Sequence, residues 1–165
     1  MIYLLYSGNF DALTGGYIYN KQIIDYLRKN QVYAETIQLD TLQPLTSEKE
    51  LLKNERLIRS IPDNSILLVD SLVFGSQPIF RTRYNPSHIL IPVVHLPLFL
   101  NPDFQLYSDL KPREMEAYKM AKHIIVTSLF TKKILMGEGL EDTSISIVNP
   151  GIDPMPVKTN YPFSS

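Results

Sequence analysis

The sequence predicts an α/β fold in which a parallel sheet of about six strands carries helices on both faces. Three observations predict it. Short apolar runs recur along the chain, among them Ile2–Tyr6, Ile66–Val69 and Ile124–Val126, and stretches of helical period separate them. Ile66-Leu67-Leu68-Val69 is continuous rather than alternating, as suits a strand covered on both faces. The 165 residues, 44% of them apolar and 20% charged, suffice for one domain with a sizeable core.

Each element has a local cause. Ile2–Tyr6 reads as a buried strand, and the polar loop Ser7–Thr14 leads to Gly15-Gly16 and a helix. Tyr19, Ile23, Tyr26 and Leu27 fall at i, i+4, i+7 and i+8, which predicts them as its inward face. Arg28 and Lys29 complement the negative end of that helix, and Asn30 is the expected left-handed cap. Val32–Leu39 alternates as a second strand. Ser47-Glu48-Lys49-Glu50 predicts a capping box, opening a helix toward Ser60 that Pro62-Asp63 stops.

Ile66–Val69 is the third strand, with Asp70 at its carboxyl end and a short helical segment through Phe80 behind it. Ile89–Val94 is the fourth, despite Pro92, which has no N–H for a ladder. Lys111–Lys122 predicts a helix with Met115, Tyr118 and Ala121 inward, and Ile124–Val126 a fifth strand. Thr127 or Ser128 caps a helix toward Met136 that Gly137 and Gly139 break, and Ser144–Val148 is a sixth strand. The expected architecture is a Rossmann-like domain over 1–153. Residues 154–165, with three prolines and no apolar period, are expected to form a linker or a truncated connection.

The formal net charge of −1 offers no basic face for nucleic acid. Without cysteine there is neither disulfide nor thiolate chemistry, which is compatible with a reducing cytosol. Met1–Phe10 lacks the basic start of a signal peptide, and the apolar stretch Ile89–Leu100 falls short of the roughly 20 residues of a membrane span. These features predict a cytoplasmic protein, with peripheral membrane contact left open.

The candidate site residues follow strands. His95 ends the fourth one, and in open parallel sheets ligands occupy the crevice beyond the carboxyl ends of the strands. An imidazole there donates or accepts a hydrogen bond near neutral pH, unless it is only a bonded edge residue. Gly15 and Gly16 precede a helix whose first amides lack intrahelical partners, either as an anion site or as a simple turn and cap. Gly8, Gly15 and Gly16 do not compose the G-x-G-x-x-G of a dinucleotide site. Asp70 ends its strand on the same side as His95, as a ligand for a hydroxyl or as a turn aspartate.

Glu114 reads as a packing or hydrogen-bonding residue rather than a catalytic carboxylate, and His88 and His123 show no metal-ligand spacing. The loop Leu96–Tyr107 carries Leu98, Phe99, Leu100, Phe104 and Leu106. These either pack beneath it or meet a lipid-linked acceptor or membrane surface.

An ordered set runs through the chain: Gly15-Gly16, Val93-Val94-His95-Leu96-Pro97-Leu98, Glu114, Ile124-Ile125-Val126-Thr127-Ser128 with Phe130-Thr131, and Val148-Asn149-Pro150-Gly151-Ile152-Asp153. In this order it resembles the N-terminal half of a GT-B glycosyltransferase of the retaining family 4 type, from Met1 to Asp153. The resemblance implies two Rossmann-like domains facing each other across a cleft, the first holding the acceptor and the second the nucleotide sugar. It implies transfer of a sugar to an acceptor hydroxyl, with no cofactor and no metal.

By the same resemblance Gly15 and Gly16 touch the donor diphosphate. His95 is the catalytic-site histidine, a neutral imidazole orienting a hydroxyl of the transferred sugar. Asp70 and Leu96 lie on the acceptor side, and Val148–Asp153 leads into the hinge. The C-terminal donor domain, with its Glu-x7-Glu element, is not in the 165 residues. It is the expected partner, without which this chain is inactive. Two rivals stand beside this reading. One is a stand-alone, non-catalytic binding or regulatory domain that works with a partner chain. The other is a nucleotide-dependent oxidoreductase, weakened by the missing glycine fingerprint.

Overall fold

The computed structural model describes residues 1–40, 47–82, 85–104 and 106–151. The strands are β1 (Ile2–Tyr6), β2 (Ala34–Gln38), β3 (Ile66–Asp70), β4 (Ile89–Val94), β5 (Ile124–Val126) and β6 (Ile145–Ile147). They form one six-stranded, all-parallel sheet in the order β2-β1-β3-β4-β5-β6, a Rossmann-like arrangement. The helices are α1 (Gly15–Lys29), α2 (Glu48–Arg59), α3 (Ser71–Ser76), α4 (Ile79–Thr82), α5 (Leu110–Met120) and α6 (Leu129–Gly137).

The strand order divides the helices unequally. The β1-to-β2 connection runs one way across the sheet, and every later connection runs the other way. Among the described residues, right-handed crossovers then put α1 alone on one face and α2 to α6 on the opposite face. The core follows this division through the period-2 alternation of the strands. Leu4, Leu68 and Val93 pack on Tyr19 and Ile24 of α1. Leu5, Leu67, Val69, Leu90 and Val94 meet Ile58, Phe74, Phe80, Tyr118 and Leu135 from the other helices. Phe74 stacks between Phe80 and Tyr118, each ring 5.4 Å away. So both faces carry helices as expected, but Ile91 and Ile125 stay half-buried on the α1 side.

The capping box forms as its spacing predicts: Ser47 Oγ accepts from Glu50 N, and Glu50 Oε2 accepts from Ser47 N at 2.8 Å. Pro92 does lie in a central strand, opposite Val69 of β3. Leu90 and Val94 turn their carbonyls toward the β5 side, accepting from Lys122 and Thr127. By alternation the missing donor of Pro92 faces that side too, where the paired register begins only at Val93.

Three expectations need correction. Of the expected inward face of α1, Tyr19 is buried and Ile23 and Leu27 pack at the edge of the core, but Tyr26 is 68% exposed and Asn20 and Ile24 are buried instead. The helix presents Asn20 inward because Asp70 holds its amide there. The left-handed residue after α1 is Gln31, with φ of 61°, not Asn30. Asn30 stays right-handed because its own N–H and its side-chain amide both bond back to the Tyr26 carbonyl. Finally, β2 and β6 are shorter than their alternating stretches, since a 3-10 turn over Asp142–Ser144 takes the start of the latter. Among the described residues no helix is long and apolar enough to cross a membrane. The stretch 154–165, Ile152 and Asp153 lie outside the described residues.

Candidate functional site

The chain leaves β1 in one direction and β3 in the other, so the sheet has its topological switch between these adjacent strands. The crevice beyond their carboxyl ends is where doubly wound sheets bind ligands. Three connections converge on it. The loop after β1 delivers the first turn of α1. Asp70, the last residue of β3, caps α3 by accepting from Leu72 N at 2.8 Å. His95 follows directly on β4.

The sequence-predicted residues come together there. Gly16, Asp70, His95 and Leu96 line a cavity of about 290 Å³, with Ser71, Leu98 and Asn101. Gly15, Gly16 and His95 line a second one of about 580 Å³, with Tyr19, Gln22 and Thr127. Gly16 and His95 belong to both and form the ridge between them. At the first turn of α1 the Thr14 carbonyl accepts from Ile18 N, but its side chain makes no cap bond and no acidic residue follows. The leading N–H groups of α1 therefore lack intrahelical partners and sit at the positive end of the helix dipole.

Behind the ridge lies a buried polar network that reaches far along the chain. Asn20 Nδ2 donates to Asp70 Oδ2 at 2.6 Å. His95 Nε2 is 3.3 Å from Asn20 Oδ1 and 3.7 Å from Asp70 Oδ2. The Tyr19 ring meets the imidazole edge-on at 5.2 Å, and its hydroxyl donates to the Val148 carbonyl. From α6, Thr131 Oγ1 donates to the His95 carbonyl, while Ser128 Oγ caps the helix by accepting from Thr131 N.

Burial sets the protonation of this network. It pushes the Asp70 carboxyl up, against the opposing effects of His95 and of the N–H groups of Leu72 and Asn20. Burial likewise lowers His95, with Asp70 pulling the other way. Both Asp70 oxygens accept an N–H, so the surroundings are built for its ionised form. The His95 side chain remains 22% exposed, open enough to reach a ligand. The arrangement can hold a neutral imidazole as a hydrogen-bonding group while a helix terminus offers amides to an anion.

Glu114 is fully buried and holds the loop after His95. Its carboxylate accepts from Leu98 N at 2.9 Å, Phe99 N at 3.0 Å and Tyr118 Oη at 2.6 Å. That is the hydrogen-bonding role read from the sequence. Gly75 of α3 lets this loop approach, since a Cβ there would meet Leu98 and Glu114. In the loop, Leu98 is buried and Phe99, Leu100 and Phe104 are half-buried, while Leu106 is 94% exposed. Packing beneath the loop therefore accounts for most of its apolar residues.

His88 and His123 precede β4 and β5, at the opposite edge of the sheet. His88 Nε2 lies 3.4 Å from the Ile61 carbonyl, and His123 Nε2 lies 2.8 Å from Ser146 Oγ. Among the described residues no three His, Asp or Glu side chains group as a metal site requires. Sequence reasoning missed Asn20 and Gly75, and it included Thr131 in the ordered set without giving it a role. Only Asn20 left a signal, a polar side chain between Tyr19 and Ile24 on the inward stripe of α1. Compared with known proteins, the chain matches no family model and no curated protein.

Proposed function

We propose that this chain is the acceptor-side domain of a retaining glycosyltransferase of the GT-B, family 4 kind. In this reading a second domain supplies the nucleotide sugar, and the pair moves the sugar to an acceptor hydroxyl. The observation that supports it most is the contact of Gly16 with His95, which joins an anion-accepting helix start to an imidazole. Gly15 and Gly16 then face the donor diphosphate, and His95 orients a hydroxyl of the transferred sugar without bringing positive charge to it. Asp70 and Leu96, in the smaller cavity, lie toward the acceptor. Catalysis in such a cleft is orientation and charge stabilisation.

The test is a titration of the chain with inorganic pyrophosphate and with nucleoside diphosphates, followed by amide NMR shifts. Gly15, Gly16 and Tyr17 are expected to move, with an affinity that weakens as salt is added. Movement with a nicotinamide dinucleotide and none with pyrophosphate would favour the oxidoreductase instead. In the enzyme completed by its donor domain, His95→Ala is expected to lose about 1–3 kcal/mol of stabilisation in turnover with its fold intact. Unchanged turnover would remove His95 from the site.

A further inference from the structure

Thr131 stands in the first turn of α6, on the face of the sheet opposite α1. Beyond Val94, whose carbonyl accepts from Thr127 N at 3.3 Å, the backbone of β4 leaves the ladder. Among the described residues, the one hydrogen bond to the His95 carbonyl comes from Thr131 Oγ1, at 3.3 Å and 36 positions along the chain. Thr131 is 1% exposed, so its hydroxyl depends on protein partners. From this contact, and resting on the glycosyltransferase reading above, we infer that Thr131 is a positioning residue. It fixes the backbone from which the His95 imidazole reaches the transferred sugar.

The direction of each hydrogen follows from the partners. A carbonyl only accepts, so the Thr131 hydroxyl points its single hydrogen at His95. Ser128 Oγ lies 3.0 Å from Thr131 Oγ1, and in that pair Ser128 is therefore the donor. The Ser128 oxygen keeps a lone pair for Thr131 N, from which it accepts at 3.1 Å as the cap of α6. Both hydroxyls are thereby fixed, and the start of α6 is locked to the end of β4. The ring needs such an anchor. Asn20 Oδ1 at 3.3 Å and the Tyr19 ring at 5.2 Å hold the imidazole from α1, but neither holds the main chain. The next residue, Leu96, is 41% exposed, and the chain then turns through Leu98–Leu100. A His95 backbone free to rotate there would carry Nε2 away from Asn20, and a hydrogen bond weakens steeply off its preferred distance and angle. Misplacing a group at a reacting centre by about 1 Å can cost roughly a hundredfold in rate.

NMR of this chain with Thr131→Val, Thr131→Ser and Ser128→Ala tests this. Thr131→Val keeps the side-chain shape and removes the donor. It is expected to shift the His95 ring signals and the His95 and Leu96 amides. His95 should also titrate closer to the ordinary histidine value, because burial, which outweighs Asp70 in setting it, relaxes. Thr131→Ser should restore all of these. Ser128→Ala should weaken the cap of α6 and lower stability while leaving the His95 signals in place. In the enzyme completed by its donor domain, Thr131→Val is expected to lower kcat about fivefold with KM nearly unchanged, and Thr131→Ser to recover it. In the unaltered chain the Thr131 hydroxyl hydrogen should exchange slowly enough to give its own resonance, a reading that depends on no variant. Unmoved His95 signals in Thr131→Val overturn the inference, as do equal shifts in Ser128→Ala, no recovery with serine, or a hydroxyl hydrogen lost to rapid exchange. So does an unchanged kcat in Thr131→Val where His95→Ala slows turnover. The parent reading fails separately: if Thr131→Val moves the ring while His95→Ala leaves turnover unchanged, the transferase falls and the anchoring of His95 by Thr131 stands.

Discussion

Gly16 lies directly against His95: a methyl group on Gly16 would come 3.3 Å from Cδ2 and 3.5 Å from Nε2 of the ring. Its neighbour Gly15 faces open space, with nothing within 4 Å of the same addition. The two glycines therefore separate experimentally. Gly15→Ala is expected to leave the His95 ring signals in place and keep or slightly raise thermal stability, since alanine is the better helix former. Gly16→Ala should displace the ring by a few tenths of an ångström, read as shifted imidazole resonances in an otherwise native spectrum. Equal effects of both changes would mean that the contact does not constrain His95.

Asn20 determines which nitrogen of His95 carries the proton. Its amide group donates to Asp70, so its carbonyl oxygen is the atom that faces His95 Nε2. A neutral imidazole in that position carries its hydrogen on Nε2 and leaves Nδ1 as an acceptor. Nitrogen NMR is expected to find this tautomer, and a titration to find His95 below the ordinary histidine value because burial disfavours its charge. Asn20→Asp should raise that value by adding a carboxylate, and Asp70→Asn should lower it further by removing one. A shift in the wrong direction for either change would break the electrostatic account of the network.

Much of this was legible in the sequence, for a physical reason. Strands β3 and β5, the Ser47 cap and the Ser128 cap rest on residues within one turn or one strand of each other. Local signals therefore suffice for them. The site was half legible: His95, Gly16 and Asp70 stand where strand ends meet helix starts, which topology alone predicts. What joins them was not. Asn20 touches partners 50 and 75 positions away, and no local pattern encodes that distance. The placing of α1 on the face opposite α2 to α6 was hidden too, because it follows from strand order and not from any helix's own period.

Gly75 is needed by its neighbours rather than by its own backbone. A Cβ there would lie 2.8 Å from Leu98 Cδ1 and 3.0 Å from both Cγ and Cδ of Glu114, inside real contact distances. Gly75→Ala is therefore expected to cost about 1–3 kcal/mol by overpacking, despite the better helix propensity of alanine. The strain falls on the loop that follows His95, so chemical denaturation should be accompanied by shifted Leu98 and Phe99 amides. A neutral or stabilised variant would show that the loop can retreat without loss.

Glu114 gives a prediction whose sign varies with pH. Burial raises its carboxyl, and the bonds from Tyr118, Leu98 and Phe99 only partly oppose this. The folded protein thus holds the Glu114 proton more tightly than the unfolded chain does. Its contribution to stability is full below the unfolded value of 4.5 and is lost as pH rises through the raised folded value. Glu114→Gln removes this titration. It also leaves three donors facing a side chain with one acceptor oxygen, so an amide meets an N–H or hydroxyl donor. At neutral pH the variant is expected to be less stable by about 1–3 kcal/mol. Urea unfolding of both proteins across the acid-to-neutral range should show the gap largest in acid and narrowing as pH rises. A gap that instead widens with pH would mean that the three donated bonds outweigh burial and hold Glu114 below its ordinary value.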